Sequence, residues 1–118
     1  MAKTAVIVED DMVLSIINKR YLLKMGCEVL ACVSNSEDAI ESVRDLKPDF
    51  LLMDIRLDGS ADGIETVSKI RSFSDVKVIY ISGNSESAVK GRAAESGMHG
   101  FLIKPLDYDQ LKAVVEDL

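Results

Sequence analysis

Five short apolar runs alternate with longer segments whose apolar residues recur at helical spacing. The runs are Ala5-Val8, Val29-Val33, Phe50-Met53, Val76-Ile81 and Phe101-Ile103. Runs this short, bounded by Gly, Pro and acids, fit strands buried on both faces of a parallel sheet. Between them, Leu14, Ile17, Tyr21 and Met25 step by three and four. Ala39, Val43 and Leu46 do the same, as do Tyr108, Leu111, Val115 and Leu118, with a shorter stripe at Ile64, Val67 and Ile70. Repeated strand–helix alternation implies an α/β fold, a five-stranded parallel sheet with five helices on its two faces. Right-handed crossovers leave few topologies, and the doubly wound order 2-1-3-4-5 is the expectation.

Local signals agree with these elements. Asp62 stands three residues before Glu65, and Asp107 three before Gln110, both resembling capping boxes. Asn35 suits the cap of the second helix, and Gly26, Gly97 and Gly100 punctuate the approaches to strands. The fourth helical segment, from Ser85 to Ser96, is the weakest. It carries Gly91 in its middle, at a cost of about 1 kcal/mol, and Val89 as its one large apolar residue. It is expected to be the most mobile helix.

The chain has 118 residues, 47% of them hydrophobic, with no linker or repeat, and residues 1–118 are expected to form one domain. A net charge of −6 argues against nucleic-acid binding and suits a cation or a basic partner. No apolar stretch approaches a membrane span, and the run after Met1 is too short for a signal-peptide core. A cytoplasmic protein is the expectation. Cys27 and Cys32 lie five apart in what reads as one strand, so they should face opposite ways and stay reduced.

The chemistry-bearing residues gather at the carboxyl ends of the apolar runs, where open α/β sheets bind ligands. Glu9, Asp10 and Asp11 end the first run, and Asp54 ends the third. Three consecutive acids repel one another, and a bound cation is the usual remedy. One of them would be enough to cap the following helix. With the first and third strands adjacent, Glu9, Asp10 and Asp54 would converge on one cleft. A hard octahedral ion such as Mg²⁺, with Mn²⁺ as a substitute, suits few carboxylates plus waters and phosphate. Ser82 ends the fourth run and Lys104-Pro105 the fifth. Glu9, Asp10, Asp54 and Lys104 together carry two net negative charges, which one divalent cation cancels. Lys104 can then pair with a carboxylate or a phosphate oxygen, and Ser82 can donate to another.

Over essentially its whole length the chain resembles a response regulator receiver domain, the CheY-like phosphoacceptor module of two-component signalling. The resemblance rests on Glu9-Asp10, Leu52-Met53-Asp54, Ser82, Phe101 and Lys104-Pro105, in that order and at fitting separations. It implies that Asp54 accepts a phosphoryl group from a sensor histidine kinase or a phosphotransfer protein. Asp10, Asp54 and the backbone carbonyl of Arg56 would hold Mg²⁺, with Glu9 acting largely through water. Lys104 would pair with Asp54, Ser82 would bond a phosphoryl oxygen, and Phe101 would turn inward behind it as the aromatic switch. Arg56 and Asn84 would tune the lifetime of the phosphoryl group. The Lys104–Pro105 peptide is expected to be cis. Output is expected through the fourth helix, fifth strand and fifth helix, toward an attached effector domain or a second copy. The loop from Leu57 to Gly63 is longer than the family's common form and lacks its usual proline.

Other readings are weaker. A haloacid-dehalogenase-type hydrolase needs a second Asp two residues after the nucleophile, where this chain has Arg56. A flavodoxin-like carrier needs a hydroxyl- and Gly-rich phosphate loop where this chain has Glu9, Asp10 and Asp11. A receiver that serves only as a docking module would be missing a phosphorylation residue, and none is missing. His99 precedes a strand and reads as an exposed turn residue. The final stripe stops short at Glu116-Asp117-Leu118, which leaves room for the chain to be part of a longer protein.

Overall fold

The computed structural model describes residues 2–57, 61–83 and 87–118. Its elements alternate strictly. They are β1 (Thr4–Val8), α1 (Met12–Lys24), β2 (Glu28–Val33), α2 (Ser36–Leu46), β3 (Phe50–Asp54), α3 (Gly63–Ile70), β4 (Lys77–Ser82), α4 (Ser87–Glu95), β5 (Gly100–Ile103) and α5 (Tyr108–Glu116). The strands form one parallel sheet in the order β2-β1-β3-β4-β5. Both the fold class and the strand order follow the sequence expectation.

Strand side chains alternate between two cores, as a period of two requires. Val6, Val8, Leu51, Met53, Val78 and Tyr80 face α2, α3 and α4, which contribute Ala39, Val43, Ile64, Val67, Ile70 and Ala93. Ala5, Ile7, Phe50, Leu52, Ile79 and Ile81 face α1 and α5, which contribute Leu22, Leu111 and Val115. β3 is buried at every residue because it is central and covered on both faces. No helix among the described residues is long and apolar enough to cross a membrane.

The expected caps are in place. Asp62 and Glu65 form the reciprocal capping box of α3, Asn35 accepts from Asp38 N at α2, and Asp107 accepts from Gln110 N at α5. Gly26 and Gly97, at φ +87° and +83°, turn the chain where a side chain is rarely tolerated. The Lys104–Pro105 peptide is cis. Cys27 is buried just before β2 and Cys32 is exposed on it, both as free thiols.

The α1 stripe is partly inward, with Tyr21 and Met25 packed against the core. The residues of α1 that are buried are Asn18 and Leu22, and Ile17 is 37% exposed. Apolar residues occur all around this helix, so periodicity alone does not select the inward side. Met12, Val13, Ile16 and Leu23 are more exposed still. Leu46, at the end of the α2 stripe, is also exposed. α4 is sparsely packed. Among its described side chains only Ala93 is buried, Val89 is half-buried and Gly91 is exposed.

The start of α3 lies tightly against the sheet edge. Gly63 N donates to Ile55 O at 2.7 Å. A Cβ at Gly63 would overlap the carbonyl oxygen of Asp54 and fall 2.9 Å from Ile55 Cα. Both are backbone atoms and cannot step aside cheaply. Gly63→Ala is therefore expected to lower stability by about 1–3 kcal/mol, read as an earlier urea midpoint with an unchanged m-value. An unaltered midpoint would refute this account of the close approach.

Candidate functional site

The carboxyl edge of the sheet brings four strand ends together. At the end of β1, Glu9 N donates to Val33 O, which carries the sheet pairing one residue further and turns the Glu9 side chain inward. Asp11 separates from its two neighbours. Its Oδ1 accepts from Leu14 N at 3.1 Å and caps α1. The three acids thus divide into one cap and two site residues. Oxygens of Glu9, Asp10 and Asp54 lie within 4.8 Å of one another, close enough to share a metal ion. Glu9 and Asp54 are buried, and Asp10 faces the solvent side of the group.

Lys104 crosses from the end of β5 to this group. Its Nζ lies 3.1 Å from Glu9 Oε1 and 3.2 Å from Asp54 Oδ2. The other oxygen of Asp54, Oδ1, accepts from Arg56 N at 3.2 Å. Ser82 is buried at the end of β4, and its carbonyl accepts from Lys104 N at 2.8 Å, which fixes the base of the lysine. Glu9, Asp10, Asp54, Ser82 and Lys104 therefore all come to one edge, as the sequence led us to expect.

The electrostatics are incompletely balanced. Burial, then the hydrogen bond and charge of Asp54, push the Glu9 carboxyl up to about 8, against the pull of Lys104. Burial alone would lower the Lys104 ammonium, but Asp54 and Glu9 outweigh it and hold it above its ordinary value. Glu9 Oε1 is buried and accepts no aligned hydrogen bond, even with the ammonium 3.1 Å away. A crowded carboxylate set of this kind, with one under-satisfied oxygen, fits a hard divalent cation. A cavity of about 450 Å³ adjoins it, lined by Glu9, Asp10, Met12, Ile16, Cys32 and Asp38, among others.

The remaining candidates sit around this centre. The Arg56 side chain is exposed, and only its backbone N–H reaches Asp54. Phe101 is half-buried against the core on the α4 side, with Lys90 Nζ 5.6 Å from its ring centre. Asn84 lies outside the described residues. His99 is exposed and its N–H donates to Val78 O. Sequence reasoning missed two features. Lys104 pairs with Glu9 as well as Asp54, and nothing in the spacing of residues 9 and 104 signals it. Gly63 packs on the Asp54 backbone, for which the one cue was Gly after an N-cap Asp.

A five-stranded CheY-like sheet with an acidic pocket at its edge defines a phosphoacceptor-type module, and comparison with known proteins agrees. Residues 5–116 match the profile of the response regulator receiver domain, and the chain belongs to that family. It is 31% identical to the chemotaxis protein CheY of Thermotoga maritima, over all of this chain and 96% of that protein. It is 32% identical to the transcriptional regulatory protein LnrK of Bacillus subtilis, over 98% of this chain but 53% of that protein. The signal receiver domain of a modulated diguanylate cyclase from Desulfovibrio desulfuricans superposes with a TM-score of 0.91 at 30% identity, covering 99% and 93% of the two chains. Receiver domains are phosphoacceptor modules of two-component signalling, not enzymes in the ordinary sense, and they bind Mg²⁺. The pocket of Glu9, Asp10 and Asp54 is consistent with such a site.

The raised Glu9 carboxyl sets a pH dependence. At pH below about 4.5 both folded and unfolded chains hold its proton. Above that, the unfolded chain releases the proton while the folded chain keeps it, up to about 8. Stability from this group is therefore lost as pH rises through that window. In metal-free buffer, the thermal midpoint should fall between about pH 5 and 8 more steeply in the wild type than in Glu9→Gln. Parallel curves for the two proteins would contradict the assignment.

Proposed function

We propose that this chain is a two-component receiver that takes a phosphoryl group on Asp54 in a Mg²⁺-dependent reaction. The observation that carries the reading is one lysine shared between two buried carboxylates, with a third carboxylate alongside. Asp10, Asp54 and the backbone carbonyl of Arg56 would hold Mg²⁺, with Glu9 acting largely through water. Bound there, Mg²⁺ neutralises charge on the transferring group.

The protein's own residues then do the following. An Asp54 carboxylate oxygen forms the new P–O bond while the P–N bond of a donor phosphohistidine breaks, and the electron pair leaves with the imidazole. Lys104 gives up its contact with Asp54 Oδ2 and pairs with a phosphoryl oxygen, keeping Glu9 as its second partner. Ser82 donates to another phosphoryl oxygen from the end of β4. Phe101 follows Ser82 inward, which couples the site to α4, β5 and α5. Arg56 and Asn84 tune how long the phosphoryl group survives.

The donor is a sensor histidine kinase or a phosphotransfer protein. The exposed apolar residues Met12, Val13 and Ile16 support a docking face for it, since α1 starts directly beside the acidic pocket. On the output side, Phe101 and the exposed Ile103 lie on the face that would contact an effector domain or a second copy. Net charge gives no support for direct contact with nucleic acid. We place the signalling in the cytoplasm, where an exposed thiol such as Cys32 stays reduced.

Incubation with acetyl phosphate and Mg²⁺ should add one phosphoryl mass to the intact protein, and Asp54→Asn should abolish the adduct. If wild type gains no mass, or Asp54→Asn labels normally, the reading fails and a docking module without phosphorylation takes its place. By calorimetric titration, Asp10→Ala should weaken Mg²⁺ binding by about tenfold or more, the factor for ~1.4 kcal/mol. An unchanged affinity would remove Asp10 from the site.

A further inference from the structure

We infer that Arg92 is a positioning residue that ties α4 to the phosphoacceptor loop and opposes the rearrangement of α4 when Asp54 is phosphorylated. The inference rests on the receiver reading above and adds to it a specific coupling, separate from Ser82 and Phe101.

The tie is a single contact with a defined geometry. Arg92 Nη2 donates to Asp62 Oδ2 at 3.0 Å. Asp62 uses its two oxygens for two tasks, because its Oδ1 accepts from Glu65 N at 2.8 Å as the N-cap of α3. The next residue is Gly63, the glycine that packs against the backbone of Asp54 and whose N–H bonds Ile55 O. A short path therefore runs from the Asp54 backbone through Gly63 and Asp62 to the Arg92 guanidinium on α4. A groove of about 330 Å³ between α3 and α4, lined by Ile64, Glu65, Ser68, Arg92, Glu95 and Ser96, leaves room beside the contact for the helix to shift.

An arginine in the last turn of a helix is often there only for the helix dipole, and half-exposed ion pairs are weak. The packing of α4 decides how much this one matters. With Ala93 the one buried residue among its described side chains, and Gly91 exposed, α4 has little apolar burial to hold it. Other contacts hold it too: Lys90 Nζ lies 5.6 Å from the Phe101 ring centre, and just past the helix Ser96 Oγ lies 2.6 Å from Tyr80 Oη while Arg71 Nε donates to Ser96 O at 3.0 Å. Among these few contacts Arg92–Asp62 is the one that reaches the segment beside Asp54, and a two-state element responds to any group that favours one of its states.

Two readouts test this with Arg92→Gln, Asp62→Ser and the double variant. Serine at 62 keeps an N-cap for α3 while removing the charge. The first readout is amide exchange in α4 of the unphosphorylated protein. Each single variant should exchange about two- to fivefold faster there at low salt, the double variant should be no faster than either, and Arg92→Lys should restore much of the protection. Raising the salt should shrink the difference from wild type. The second readout is the rate of Asp54 labelling by acetyl phosphate with Mg²⁺, which should rise by a similar factor as α4 is released. Unchanged α4 exchange in Arg92→Gln overturns the inference, and so do additive effects in the double variant, which would mean the two residues act apart. Faster α4 exchange with an unchanged labelling rate reduces the contact to packing and overturns its regulatory role. Failure of the wild type itself to label overturns the receiver reading instead, and the two failures are told apart by that control.

Discussion

Everything at the sheet edge depends on one ammonium group standing between two buried carboxylates. Lys104 Nζ is close to both Glu9 and Asp54, and without it two buried acids would stand together with a third beside them. Buried like charges at such distances are costly, and the raised Glu9 carboxyl records that cost. One lysine faces three acidic side chains, of which Glu9 is pushed up to about 8. A cluster of acids around one lysine is consistent with the Mg²⁺ that receiver domains bind. The cradle is held firmly because its members stand at the carboxyl ends of β1, β3, β4 and β5, and the central β3 is buried along its whole length.

The rest of the molecule contrasts with that rigidity. α2 and α3 pack buried stripes into the core, and α1 and α5 each anchor there through at least one fully buried leucine, Leu22 and Leu111. α4 contributes Ala93 and the edge of Val89. Polar contacts at separate points help hold it, among them Arg92 to Asp62 on the helix and Ser96 to Tyr80 and Arg71 just past its end. Polar contacts are directional and can be exchanged without exposing a core. A helix held this way can shift while the sheet beneath it stays still, which is what a signalling face beside a fixed chemical site requires.

Much of this was legible in the chain. Periodicity located all five strands to within a residue or so, because strands buried on both faces are written as continuous apolar runs. Asp62 and Asn35 announced their helices because capping is local chemistry. The α1 stripe was right at Tyr21 and Met25 and wrong at Ile17, for a physical reason. Met12, Val13, Ile16, Ile17 and Leu23 place apolar side chains around most of the helix, so the sequence offers several possible inward faces and only packing chooses Asn18 and Leu22. Of the three acids in a row, the sequence assigned Glu9 and Asp10 to the site, and they gather there with Asp54. Asp11 stands apart because α1 begins there and needs a cap.

By itself the sequence determined the alternation of elements, the parallel sheet and the strand ends that carry chemistry, since each is encoded in spacing over a few residues. Tertiary structure alone decided that Lys104 balances Glu9 as well as Asp54, that Gly63 must lie against the Asp54 backbone, and that Arg92 reaches Asp62. Those contacts join residues far apart along the chain, except for the close approach at Gly63. Coulomb forces and steric overlap depend on distance in space, and that distance exists only once the strands are side by side.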